Sequence, residues 1–251
     1  MKKIAKAFLR KLGFIVMKRS SRVYLPEDES YRIALDLCGE AAPVIIDGGA
    51  HKGGTVDAFR LLAPLAEFHC FEPDPVLAAE LQEKFAGSPG VSIVKAALGS
   101  EPGKAVFNIN ASRPTNSLLP TADALQEDLR GLCKTVDRVE VAVSSIDDYC
   151  AANGLNRVAI IKLDLQGYDY QALLGARATL RDVRVVLVEV LFTEIYQGCH
   201  LFPDILRLMG ENGFNLFTLS GIHYGNRDEL LWADAIFLKQ QSRQNPARPA
   251  I

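Results

Sequence analysis

The chain has 251 residues, enough for one α/β domain with short appendages. Its 49% hydrophobic and 23% charged residues are ordinary for a soluble globular protein. A net charge of -2 offers no footprint for nucleic acid, and no apolar run approaches the ~18 residues of a membrane span.

Met1 to Pro26 carries eight lysines and arginines and no acid, and Ile4, Phe8, Leu12 and Ile15 recur at helical spacing. Such a basic amphipathic helix suits an anionic membrane surface, or packs on its own domain with a solvated basic face. Charge interrupts its apolar stretch, so it does not read as a cleaved signal. Residues 1–40 are taken as a basic helical extension, 41–239 as the domain and 240–251, with Pro246 and Pro249, as a disordered tail. Five cysteines form no C-x-x-C pair, which fits reduced thiols and a cytoplasmic location, with the inner membrane face as an option.

From Val44 onward strands and helices alternate, which predicts a doubly wound, mostly parallel sheet. Val44–Asp47 is the first strand and Thr55–Leu62 a helix. Glu67–Phe71 is the second strand, followed by a helix opened by Asp74-Pro75. Val91–Lys95 is the third strand. Lys104–Ile109 is an extra strand, Asn110–Pro120 a polar loop and Thr121–Leu132 weakly helical. Val139–Val143 alternates as a half-buried strand, and Ser145 caps a helix start. Val158–Leu163 is a strand and Tyr168–Gly175 a helix. Val183–Val190 is a strand buried on both faces. After a helix from Pro203 to Glu211, strands Phe214–Leu219 and Ala233–Leu238 are joined by a Gly/Asn-rich connection, Gly221–Asp228. That connection is too short for a crossover helix, so the two strands are antiparallel neighbours near the C-terminus.

Four strand ends carry acids: Asp47, Glu72, Asp164 and Glu189. In an open α/β sheet these ends line the ligand crevice. After the first strand the chain reads Asp47-Gly48-Gly49-Ala50-His51-Lys52-Gly53, a turn that needs φ > 0 and close backbone approach. Glu72-Pro73 ends the second strand, where an acid accepts from ribose hydroxyls. No register supplies the G-x-G-x-x-G of nicotinamide or flavin sites. An acid ahead of the glycines suits a cationic ligand better than a pyrophosphate. The pattern points to S-adenosylmethionine (SAM), held by Asp47, Gly48, Gly49, Ala50, His51, Gly53, Glu72, Pro73, Ala97, Leu98 and Asp164.

These motifs, with Ile161-Lys162-Leu163-Asp164-Leu165-Gln166-Gly167-Tyr168-Asp169, Asn116-Ser117-Leu118 and Leu187-Val188-Glu189-Val190, resemble the FkbM family of SAM-dependent methyltransferases. The likeness runs from about Pro43 to Lys239. It implies a Rossmann-like class I methyltransferase sheet and O-methylation of a hydroxyl on a sugar, glycolipid or secondary metabolite. One position departs: the family's frequent Glu before the glycine is Gln166, which cannot serve as a base.

A hydroxyl nucleophile needs a base, for which Asp164 is the first candidate and Glu189 the second. Alternatively both carboxylates ligate a divalent cation that lowers the hydroxyl pKa. Asn116, Ser117, Gln166 and His200 are expected at the acceptor, a glycan, glycolipid or small molecule. Two other functions compete: a SAM-binding scaffold without turnover, kept alive by Gln166, and an N-methyltransferase, disfavoured because no N-P-P-Y-like element follows a fourth strand.

Overall fold

The computed structural model describes residues 27–123, 125 and 127–240. The basic helix expected within residues 1–26 and the tail from 241 lie outside them.

In chain order the elements are α1 (Glu27–Cys38), β1 (Val44–Gly48), α2 (Gly54–Leu62), β2 (Glu67–Phe71), α3 (Pro75–Lys84), β3 (Val91–Val94), β4 (Ala97–Leu98) and β5 (Gly103–Asn110). Then come α4 (Glu127–Leu132), β6 (Thr135–Ser144), α5 (Ile146–Ala152), β7 (Ile160–Leu163) and α6 (Asp169–Leu174). The last are β8 (Val185–Leu191), α7 (Phe202–Glu211), β9 (Phe214–Tyr224) and β10 (Leu230–Lys239). Seven strands form one sheet in the order β3-β2-β1-β7-β8-β10-β9. It is parallel except at β10, which runs antiparallel to both β8 and β9. The expected fold class is therefore observed, with the antiparallel strand one place in from the edge.

The strands are apolar on both faces because helices cover both. Ile46, Ile161, Val186 and Phe237 face one layer with Ala172, Leu173, Leu208 and Met209 from α6 and α7. Ile45, Phe68, Ile160 and Ile236 face the other, with Ala34 of α1 and Val56 and Phe59 of α2. Helix α1, assigned from sequence to the N-terminal extension, packs on the sheet, and its buried Ser30 hydroxyl lies 2.6 Å from that of Ser220 on β9.

A small second sheet, β4-β6-β5, starts just after the carboxyl end of β3. Asp74 caps α3 by accepting from Val76 N at 2.9 Å, with Pro75 in the tolerated first position. Ser145 caps α5 in the same way, accepting from Asp148 N at 3.0 Å. Several boundaries differ from expectation, β6 for instance starting at Thr135 rather than Val139. The helix expected over Thr121–Leu132 is only α4, since Thr121 instead bridges to Tyr196. The connection expected at Gly221–Asp228 is shorter, because β9 continues to Tyr224 and pairs across to Leu230 of β10.

Candidate active site

Two adjoining clefts open at the carboxyl edge of the sheet. The first, about 700 Å³ counted to its open mouth, is lined by Gly49, His51, Glu72, Pro73, Ala97, Leu98 and Asn116, among others, with Phe107 of the small sheet and Leu118 of the loop that follows it. The second, about 780 Å³, is lined by Glu189, Tyr196, His223, Trp232 and Asp234 among others. Asp164, Gln166 and Pro114 line both.

The turn after β1 shapes the first cleft. Gly49 has φ +76°, and a Cβ there would stand 2.1 Å from the Asp164 carbonyl oxygen. Gly49 N and Ala50 N both donate to Phe71 O at 3.0 Å, binding the turn to β2. Gly48 and Gly53 do not line the cleft but leave room for neighbours: a Cβ on Gly48 would meet Leu163 at 2.8 Å, and one on Gly53 would meet Phe85 at 2.5 Å. Ala50 borders a shallower depression on the outer side, shared with His51, Tyr31 and Lys162. His51 is itself left-handed (φ +49°), and its Nε2 is buried without a hydrogen-bond partner. Burial lowers its pKa and keeps the imidazole neutral.

Glu72 is 4% exposed, and its two oxygens accept from His51 N and Asp74 N, both at 2.8 Å. Burial pushes its carboxyl up to about 7, against the pull of those two backbone donors. Beside it Asp74 gathers Arg113 and Asn116: the Arg113 guanidinium and Asn116 Nδ2 (3.1 Å) both donate to Asp74 Oδ2. The sequence marked Asp74 only as a helix cap. Its tie to the Arg113–Thr115 turn across the cleft needed the fold to be seen.

Asp47 lies elsewhere than expected. It is fully buried and lines neither cleft, its oxygens make no hydrogen bond, and the Lys162 ammonium stands 3.5 Å away. Lys162 also lies 3.9 Å from Asp164 Oδ2. Burial disfavours its charge, but Asp47 and Asp164 outweigh burial and hold the ammonium protonated. Asp47 thus shapes the cleft from below, through a buried ion pair.

Gln166 sits where the clefts meet, at φ +53°, a conformation uncommon outside glycine. Its Nε2 donates to Asp164 Oδ1 at 2.7 Å and to Glu189 Oε2 at 2.9 Å. Its Oε1 accepts from the buried Tyr196 hydroxyl at 2.7 Å, and its backbone oxygen from Ser117 Oγ at 2.8 Å. Every polar group of this side chain is therefore spent on the protein. Ser117 is fully buried in holding Gln166. Asn116 spends both ends on Asn110 N (2.8 Å) and Asp74. Neither Ser117 nor Asn116 lines the second cleft, so neither stands at the acceptor side. His200 lines neither cleft; it stacks on Tyr170 with ring centroids 3.8 Å apart.

Glu189 belongs to the second cleft, but burial, reinforced by Asp164, Asp169 and Asp234, pushes its carboxyl well above the usual range. Its Oε2 accepts from Gln166 Nε2 at 2.9 Å. The cation expected between Asp164 and Glu189 does not fit, because Gln166 N–H donors fill the gap between them. Among the described residues no group of three or more His, Cys, Asp or Glu side chains could hold a metal ion. No helix among the described residues is long and apolar enough to cross a membrane.

Sequence comparison matches residues 47–216 to the methyltransferase FkbM domain family. The 2-O-methyltransferase NoeI of Sinorhizobium fredii is 27% identical over 192 residues, covering 71% of this chain and 76% of that protein. The crystal structure of methyltransferase FkbM from Methylobacillus flagellatus aligns with a TM-score of 0.49 and 14% identity, over 79% of this chain. This chain spans 44% of that protein's length. The magnesium protoporphyrin IX methyltransferase of Synechocystis, solved with SAM, aligns with a TM-score of 0.45 and 11% identity, over 95% of this chain and 97% of that one.

Proposed function

Since the chain belongs to the FkbM methyltransferase domain family, we propose that it transfers the methyl group of SAM to a hydroxyl oxygen of an acceptor held in the second cleft. The observation that carries this is the place of Asp164, whose side chain is 40% exposed and borders both clefts. The relative named as a 2-O-methyltransferase supports an oxygen acceptor.

The first cleft fits the cofactor. Gly49 leaves space that a Cβ would fill, Glu72 is fixed to receive ribose hydroxyls, and His51 Nε2 is an unmet polar atom. Ala97, Leu98 and Phe107 offer apolar contact to an adenine ring. When bound, SAM supplies an electrophilic methyl group whose leaving centre is already good. The protein therefore has to align the nucleophile and remove its proton.

Asp164 does the second. Gln166 occupies Oδ1, which leaves Oδ2, 3.9 Å from the Lys162 ammonium, to take the acceptor proton. Glu189, tied to the same amide, positions rather than accepts. Asn116, Ser117 and Tyr196 fix the frame. The acceptor class is a glycan, glycolipid or small hydroxylated molecule.

Calorimetry with S-adenosylhomocysteine, and transfer of labelled methyl from SAM to candidate acceptors, test this together. Micromolar product binding and label in an ether, lost in Asp164→Asn, are expected. Binding without transfer to any hydroxyl, or label recovered on nitrogen, overturns it.

A further inference from the structure

Residues 1–26 hold eight of the chain's 28 lysines and arginines and none of its 30 acids, so the rest of the chain is acid-rich. At helical spacing Ile4, Phe8, Leu12 and Ile15 fall on one side and Lys3, Lys6 and Arg10 on the opposite one. An apolar strip backed by cations suits the boundary between lipid headgroups and acyl chains. The domain shows where this segment joins it. Described from Glu27, α1 runs to Cys38, just before the amino end of β1. Its 12 residues span about 18 Å, so Glu27 lies toward the carboxyl edge of the sheet, where both clefts open. Two contacts fix it there. Tyr31 borders the depression shared with Gly49, His51 and Asp164. Ser30 Oγ lies 2.6 Å from Ser220 Oγ, next in sequence to Gly221 of the second cleft.

We propose that residues 1–26 seat the enzyme on an anionic lipid bilayer and turn the mouth of the second cleft toward it. The segment needs an apolar cover with negative charge around it, and such a bilayer offers both along its whole length. The leucines that the domain exposes together, Leu61, Leu62 and Leu65, stand where α2 ends, at the opposite edge of the sheet from Glu27. The acid-rich remainder of the chain is repelled by an anionic surface, so the segment makes the contact and sets the orientation. Resting on the assignment of the second cleft to the acceptor, acceptor molecules then reach that cleft from the membrane side.

The full chain would be sedimented with vesicles of phosphatidylcholine, alone or mixed with phosphatidylglycerol. It should bind the mixed vesicles only, and less tightly as salt rises. Lys6→Gln with Arg10→Gln should weaken binding at least about tenfold. Phe8→Ala, which keeps every charge, should weaken it about tenfold through lost apolar burial. Trp232 is the single tryptophan of the chain and lines the second cleft, so energy transfer from it to dansyl-labelled headgroups reports the orientation. Transfer is expected for wild type bound to the mixed vesicles. Equal binding to both kinds of vesicle, binding to neither, a Phe8→Ala variant that binds as wild type does, or bound protein without energy transfer overturns the proposal. Sedimentation needs neither cofactor nor acceptor, so its outcome is separate from that of the methyl-transfer assay.

Discussion

Replacing Glu72 by glutamine tests both how the nucleoside is held and what burial does to the carboxyl. In the wild type both oxygens accept from backbone N–H groups at 2.8 Å, and each keeps a lone pair for a ribose hydroxyl. Glutamine turns one oxygen into an NH2 group facing an N–H donor and removes one acceptor from the ribose. Loss of one charge-assisted hydrogen bond costs about 1.5–3 kcal/mol. At 1.4 kcal/mol per factor of ten, affinity for S-adenosylhomocysteine should fall about 10- to 100-fold.

The pH dependence is the sharper part. With the carboxyl at about 7 in the free protein, ribose binding must wait for ionisation. Between pH 6 and 8 the ionised fraction rises from about one tenth to about nine tenths, so wild-type affinity should strengthen about tenfold. Glu72→Gln should be flat. Stability runs the other way. The folded pKa lies above the ordinary 4.5, so folded protein binds the extra proton between pH 4.5 and about 7. That contribution is lost as pH rises through about 7. The wild-type melting temperature without ligand should therefore fall from pH 5.5 to 8 more steeply than that of Glu72→Gln. Calorimetry at the two pH values and thermal melts measure both. A wild-type Kd that is the same at pH 6 and 8, or a glutamine variant binding as tightly as wild type, would refute the reasoning.

Other substitutions separate the parts of the site. Asp164→Asn should lower kcat by about 10²–10⁴ while leaving nucleoside affinity near wild type, measured by calorimetry and labelled-methyl transfer. Tyr196→Phe removes the hydroxyl held by Gln166 Oε1 and, at 3.0 Å, by Thr115 O. It should cost about 1–3 kcal/mol of stability in denaturant melts and reduce kcat more than nucleoside binding. Gly49→Ala forces a Cβ to 2.1 Å from Asp164 O and should abolish nucleoside binding or folding. Gly54→Ala, with nothing within 4 Å in the first turn of α2, should leave binding intact and raise stability by up to about 1 kcal/mol.

The four strand-end acids and the glycine turn were legible because each follows a short apolar run, and chain direction fixes which end of the sheet they reach. What each acid does there was not legible, because it depends on partners distant in sequence. Ser117 and Gln166 are 49 residues apart, and Tyr196 and Gln166 are 30 apart. Ser117 looks like a recognition group in a polar loop, and only its burial shows it spent on a backbone carbonyl. Lys162 appeared as the one break in an apolar strand, and that break was a usable sign of a buried partner for Asp47. Trp232 and Asp234 were also within reach: they alternate with buried Leu231, Ala233 and Ala235, so one polar face of β10 points away from the core. Their place in the acceptor cleft depends on β10 pairing with both β8 and β9, which spacing alone leaves open.

Four acids at one edge of an apolar sheet cannot all be treated alike, and the structure stabilises each differently. Asp47 is sealed with an ammonium, Glu72 is fastened by two backbone N–H groups, Glu189 is pushed above the usual carboxyl range by burial, and Asp164 stays open to solvent. Gln166 makes the last two compatible. A third carboxylate at its place would stand within hydrogen-bonding distance of two others, and Lys162, already shared by Asp47 and Asp164, would be the nearest compensating charge. Like charges that close disfavour one another and would draw extra protons onto the cluster. The amide supplies two N–H donors without charge, bridges Asp164 to Glu189, and leaves Oδ2 of Asp164 unbridged on the acceptor side. The amide at Gln166, which first suggests a weakened enzyme, thereby keeps a third like charge away from the carboxyl on which proton removal depends.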